Sequence, residues 1–140
     1  MNLAPIIARI DAQCPAFKLV DGVAEFAALT GNPMATPACY VVPLSENDAG
    51  EDDLDAEYQR VAARFGVCLA AGNVRSAGGR DALDDLQSLR QSVRAALLGW
   101  APDGFDMPVL FDRGELLAIK PGLVWWQDAY RTAYPIESQP

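Results

Sequence analysis

Residues 124–130 read VWWQDAY, and the run continues as RTAY to residue 134. Aromatic and β-branched residues dominate it, so it reads as a strand. Consecutive side chains of a strand point to opposite sides of the sheet. Val124, Trp126, Asp128, Tyr130, Thr132 and Tyr134 therefore share one face, and Leu123, Trp125, Gln127, Ala129, Arg131 and Ala133 share the other. Two indoles on opposite faces need cover on both sides of the sheet.

Just upstream, PVLF (108–111), DRGE (112–115), LLAI (116–119) and KPG (120–122) alternate apolar runs with Gly-containing turn candidates, which predicts a β-meander into the last strand. Before it, Leu83, Leu86, Leu89, Val93, Ala96, Leu97 and Trp100 trace one stripe of a long helix that ends before Pro102. Asp81 and Asp84 suit its N-terminus, and Arg90 and Arg94 suit its C-terminal half. The helix is the expected cover for one sheet face.

Farther upstream, Val61, Ala63, Phe65, Val67, Leu69 and Ala71 alternate with Arg60, Ala62, Arg64, Gly66 and Cys68, which predicts a long strand from Tyr58 with one strongly apolar face. ACYVVPL (38–44) reads as a strand at an edge or about to end, because Pro43 lacks a ladder donor. Leu3, Ile6, Ile7, Ile10 and Cys14 form the stripe of a short N-terminal helix with Pro5 in its first turn. FKLV (17–20) reads as a short strand and GVAEFAAL (22–29) as a second short helix stopped by TGNP. The expected class is α/β in the α+β sense: a mixed, mainly antiparallel sheet of about five strands carrying one long and two short helices. No linker divides the chain, which predicts one domain over residues 1–140.

Composition narrows the chemistry. The chain is 51% hydrophobic with net charge −8, enough apolar content for a core and the wrong balance for gripping phosphates or an anionic membrane surface. It has no histidine, which removes the commonest general base and metal ligand. Cys14, Cys39 and Cys68 form no CxxC pair and read as small buried residues in a reducing compartment. No targeting segment opens the sequence, so synthesis and assembly inside a cell are expected.

Motifs that resemble sites fail on spacing. The acidic stretch SENDAGEDDLDAE (45–57) has Asp53, not glycine, at the sixth position of a calcium loop begun at Asp48, and reads as a solvated loop between strands or as a contact for a basic partner. SAGGR (76–80) lacks both the P-loop and the dinucleotide spacing. The serines sit in no nucleophile elbow, and no carboxylate pair is marked out. Neither catalysis nor a cofactor is expected.

The order from LLGWAP (97–102) through VLF, DRGEL and VWWQDAYRT resembles the tail terminator proteins of long-tailed bacteriophages, the group that includes the minor tail protein U family. The upstream order of helix, strand, charged loop, long strand and long helix fits the same family. The resemblance implies a virion tail protein, assembled in the host cytoplasm as a homo-oligomeric, hexameric ring on the end of the tail tube. Such a ring stops polymerisation of the tail tube protein and presents a joining surface to the head-side connector, without cofactor or reaction. A chain that closes its ring only on the tube is compatible with a monomer in isolation, because like-charged subunits repel.

Within that resemblance, Trp125, Trp126, Tyr130 and Arg131 are expected to serve core and subunit contact together, with Gln127 and Asp128 as polar partners. Arg113 and Glu115, read as the tip of the DRGE turn, are expected to meet a neighbour, and Asp52, Asp53 and Asp55 the tube or the head. The second indole face is left for the N-terminal helix or for an adjacent subunit. Another neck or head–tail completion protein would share this character. A small α+β ligand-binding or enzymatic domain would instead show a deep apolar cleft with convergent polar groups.

Overall fold

The computed structural model describes residues 1–50, 58–72 and 80–137. Helix α1 (Ala4–Gln13) leads to strand β1 (Leu19–Asp21), helix α2 (Val23–Ala27), strands β2 (Ala38–Asp48) and β3 (Tyr58–Ala71), helix α3 (Arg80–Leu97), and strands β4 (Leu110–Lys120) and β5 (Leu123–Glu137). The five strands form one sheet in the order β1-β2-β3-β5-β4. Only β1 and β2 run parallel; the other pairs are antiparallel. The mixed, mainly antiparallel α+β architecture is the one the periodicities predict.

The alternation of β3 and β5 sorts the two faces. Phe65, Val67 and Leu69 of β3 join Val124 and Tyr130 of β5 in a large core, closed by Ile6 and Ile10 of α1 and by Leu86, Leu89, Val93 and Leu97 of α3. Leu83, expected in the α3 stripe, is 54% exposed, and α3 stops at Leu97, short of Trp100. The opposite face carries a smaller cluster of Tyr40, Val42, Cys68, Ala70, Leu123 and Trp125, against which Phe26 and Leu29 pack.

Both indole faces are therefore covered from within the chain. The N-terminal helix, one of the two candidates for the second face, lies with α3 on the first; α2 covers Trp125. The Phe26 ring stands edge-on to Trp125 with centroids 5.9 Å apart, and Tyr40 stacks on it at 6.1 Å. Such aromatic pairs add to the burial of their own area. All three cysteines are buried and unpaired, as their spacing predicts.

Two strands differ from expectation. Strand β2 does not end at Pro43: a register shift between Pro43 and Ser45 absorbs the proline, and pairing with β3 continues to Asp48. Glu46 is consequently a strand residue. Its carboxylate lies 3.0 Å from the N-terminal ammonium and accepts the Tyr134 hydroxyl at 2.9 Å, and both contacts lower its pKa.

The second difference decides where the site lies. DRGE (112–115) is not a turn, and PVLF and LLAI are not separate strands of a meander. Residues 110–120 form one strand, β4, with register shifts between Phe111 and Arg113 and between Leu116 and Ala118. The two extra residues break the period of two, which is why the segment reads as two short strands. Only KPG is a turn: Pro121 and Gly122, with Gly122 at φ +73°, join β4 to β5 in the residue order of a type II turn.

Candidate interaction surface

Strand β4 is an edge strand, hydrogen-bonded to β5 on one side only. Its burial differs from that of every interior strand. Leu110 and Phe111 are each 37% exposed, Leu116 49%, Leu117 43% and Ile119 70%. Five of the eleven exposed large apolar side chains among the described residues thus fall on this one strand. Single exposed leucines are ordinary on a protein surface, whereas five large apolar side chains on one edge strand, shared between its two faces, are not. The two bulges twist the edge and restrain strand addition of the kind that builds open fibres.

Beneath the edge is a charged cluster that composition alone does not reveal. Arg90 of α3 donates from Nε and one terminal nitrogen to the two carboxylate oxygens of Asp128, both at 2.9 Å. Trp126 donates from Nε1 to the same carboxylate at 2.9 Å, and the Arg90 guanidinium lies 4.5 Å from the centre of the indole. Asp128 is 1% exposed. A carboxylate at such depth is tolerated because these donors satisfy it. Gly114 gives the cluster room: a Cβ there would stand 2.5 Å from Asp128 Oδ1 and 3.0 Å from Arg90 and from Trp126. The glycine that suggests a turn serves close approach within a strand.

The expected contact residues separate into three groups. Trp125, Asp128 and Tyr130 are buried within the chain, so Asp128 finds its partner in Arg90 of the same molecule rather than at the surface. Trp126 and Gln127 are half-buried. Arg131, Arg113 and Glu115 are exposed, the last two along β4 and not on a turn tip. Gln127, Arg113, Glu115 and Arg131 share a face, since Arg113 pairs with Ala129, Glu115 with Gln127, and Leu110 with Arg131. Gln127 donates to Glu115 at 3.4 Å. Asp52, Asp53 and Asp55 lie outside the described residues.

Arg64 pairs with Asp112 and Arg60 with Asp106. Arg94, Arg113, Arg131 and Lys120 have no ion pair among the described residues. Arg9 and Lys18, in the N-terminal part, likewise have none.

The clefts are modest. One of about 470 Å³ lies between α2 and β4, lined by Phe26, Leu29, Leu117 and Trp125, with Lys120 as its only titratable group. Another of about 270 Å³ is lined by Pro37, Asp85, Ser88, Leu89 and Ser92. Among the described residues no three His, Cys, Asp or Glu side chains are grouped to hold a metal ion. No helix there is long and apolar enough to cross a membrane.

Comparison with known proteins gives a fold likeness and a family. Curated protein sequences give no match. Among solved structures, a chain from "Virion of native gene transfer agent (GTA) particle" is similar in fold, with a TM-score of 0.52 and 14% identity over 95% of this chain and 86% of that one. The family model described as phage tail terminator protein matches residues 1–140. The chain belongs to the phage tail terminator protein family and has a structural role in a phage tail.

Proposed function

We propose that this chain caps the end of the tail tube as a ring of identical subunits, hexameric as the family resemblance implies, which stops tube polymerisation and presents the joining surface for the head-side connector. The observation that carries the reading is the β4 edge, where five large apolar side chains and the unpaired Arg113 and Lys120 lie outside the chain's own core. A head-to-tail contact between this edge and a different patch of the next subunit closes into a ring when the rotation between subunits closes. Trp126, Gln127, Arg131, Arg113 and Glu115 supply that contact. Trp125, Asp128 and Tyr130 support it from below. Asp52, Asp53 and Asp55 face the tube or the head. The role is non-enzymatic, exercised by one domain of residues 1–140 in the virion after assembly in the host cytoplasm. The similarity to a chain of a gene transfer agent virion supports placing the fold in a particle.

The test is to add the purified chain to growing tail tubes and follow tube length and end morphology by electron microscopy. Growth should stop as one end of each tube acquires a ring, and Leu117→Asp, at an exposed position, should abolish capping while the thermal midpoint stays near that of the parent. Tubes that lengthen at the same rate with and without the chain would refute the reading.

A further inference from the structure

Three guanidinium groups stack on aromatic rings around the first sheet face, and two of them have an acceptor. Arg9 lies 4.4 Å from the centre of the Trp100 ring and donates from Nε to the Ala96 carbonyl at 2.6 Å. Arg90 lies over Trp126 and is held by both oxygens of Asp128. Arg94, one helical turn beyond Arg90, lies 4.6 Å from the centre of the Phe111 ring. It has no carboxylate among the described residues, and its Nε is buried without an acceptor. The hydroxyl of Tyr130, wholly buried beside it, faces the Arg94 guanidinium without reaching hydrogen-bond geometry.

The arrangement around Arg94 is thus that of Arg90 with the carboxylate missing. Arg94 is itself only half-buried, so an acceptor can reach it from outside. What lies beside it is apolar: Phe111, on whose ring it stacks, is 37% exposed, and Leu98, one helical turn farther on, is 42% exposed. A partner that covers these side chains also strips water from the guanidinium, and an unpaired cation in that setting is costly. The covering surface must therefore bring its own anion.

We infer that Arg94 is the receiving site for a carboxylate of a second copy of this chain, which completes between subunits what Asp128 completes for Arg90 within one. This rests on the ring reading above, since a head-to-tail ring is what presses a different patch of the same chain against the β4 edge. The charge balance identifies the occupant. With 19 acidic and 11 basic residues, each copy presents carboxylates in excess, whereas Arg94 has none of its own among the described residues. Charge-assisted, planar pairing of arginine with carboxylate fixes orientation as well as affinity, which a closing ring requires.

The test uses the full chain on purified tail tubes. Leu98→Cys, labelled with a benzophenone maleimide while the three native thiols are buried, reports what lies against the site; cross-links to an acidic peptide of another copy are expected. Arg94→Gln should raise the concentration for half-capping roughly tenfold, with Arg94→Lys intermediate. Leu98→Asp offers Arg94 a carboxylate of its own chain four residues away and should impair capping in the same way without touching the core, which keeps the test valid if Arg94→Gln fails to fold. Cross-links to the tube protein alone, or capping by both variants at the parent concentration, would overturn the clamp while leaving the ring. A parent chain that does not cap removes the ring reading and the clamp with it.

Discussion

Gly114 of β4 stands opposite Asp128 of β5, so close that a methyl group at residue 114 would lie 2.5 Å from the carboxylate oxygen that also receives Arg90 and Trp126. The Cβ has no flexible side-chain end to yield, since the carboxylate is held by three donors. Gly114→Ala should therefore lower stability by roughly 1–3 kcal/mol through overpacking, although alanine suits a strand backbone better than glycine. Urea denaturation followed by circular dichroism measures it. An unchanged midpoint would mean that the strands part at this point without cost.

The pair that Gly114 accommodates makes a separable prediction. Removing one member of a buried, hydrogen-bonded ion pair strands the other charge, so Asp128→Ala should cost about 3–5 kcal/mol. Replacing both, as Arg90→Met with Asp128→Leu, should cost much less, because no charge is left buried alone. A double-mutant cycle on the isolated chain gives the coupling. Strictly additive losses would show that the two side chains act independently despite their contacts.

These residues also show what was legible in the sequence. Strands β3 and β5 alternate without interruption, so their faces and the opposition of the two indoles could be read from period alone. Strand β4 could not, because two bulges shift its period and Gly114 imitates a turn. The cover of Trp125 by α2 was hidden for another reason: a five-residue helix shows a local pattern, but nothing local says which sheet face it crosses. Asp128 was visible as a polar residue on a core face, a signal for a buried partner, yet its pairing with Arg90 spans 38 positions and needs the fold. Arg94 looked like any basic residue near a helix end. That it lacks an acceptor is a property of three-dimensional packing.

Alkaline pH should weaken the fold earlier than tyrosine content alone suggests. Burial raises the Cys68 thiol from its ordinary 9.0 to about 11, and raises Cys39 well above the same value, with neighbouring Cys14 and Cys68 adding to it. Above pH 9 the unfolded chain releases these protons while the folded chain retains them. Stability is thus complete below pH 9 and falls as pH rises toward the folded-state values, at about 1.4 kcal/mol per pH unit for each group fully mismatched. Thermal midpoints between pH 7 and 11 should fall from about pH 9 onward. Cys39→Ala with Cys68→Ala should flatten the decline, at the expense of some packing. A flat profile in the parent chain would show that the thiols ionise without opposition.

Tyr130 provides the test of packing against polarity. Its ring is fully buried, stacked on Phe65 at 5.7 Å and met edge-on by Phe111 at 5.8 Å, so the aromatic body belongs to the core. Its hydroxyl, by contrast, is buried beside the Arg94 guanidinium without reaching hydrogen-bond geometry with it. Burial, together with the Asp128 charge, raises its pKa, which keeps the group neutral but does not satisfy it. A buried polar group without a partner carries a desolvation penalty of about 1–3 kcal/mol, whereas deleting one oxygen leaves only a small void. Tyr130→Phe should leave the isolated chain as stable as the parent or raise its stability by up to about 1 kcal/mol, while Tyr130→Ala should cost about 3–5 kcal/mol. If Tyr130→Phe instead destabilises the isolated chain by more than about 1 kcal/mol, the hydroxyl has an acceptor before any second copy arrives. The pocket beside Arg94 would then be complete in the monomer.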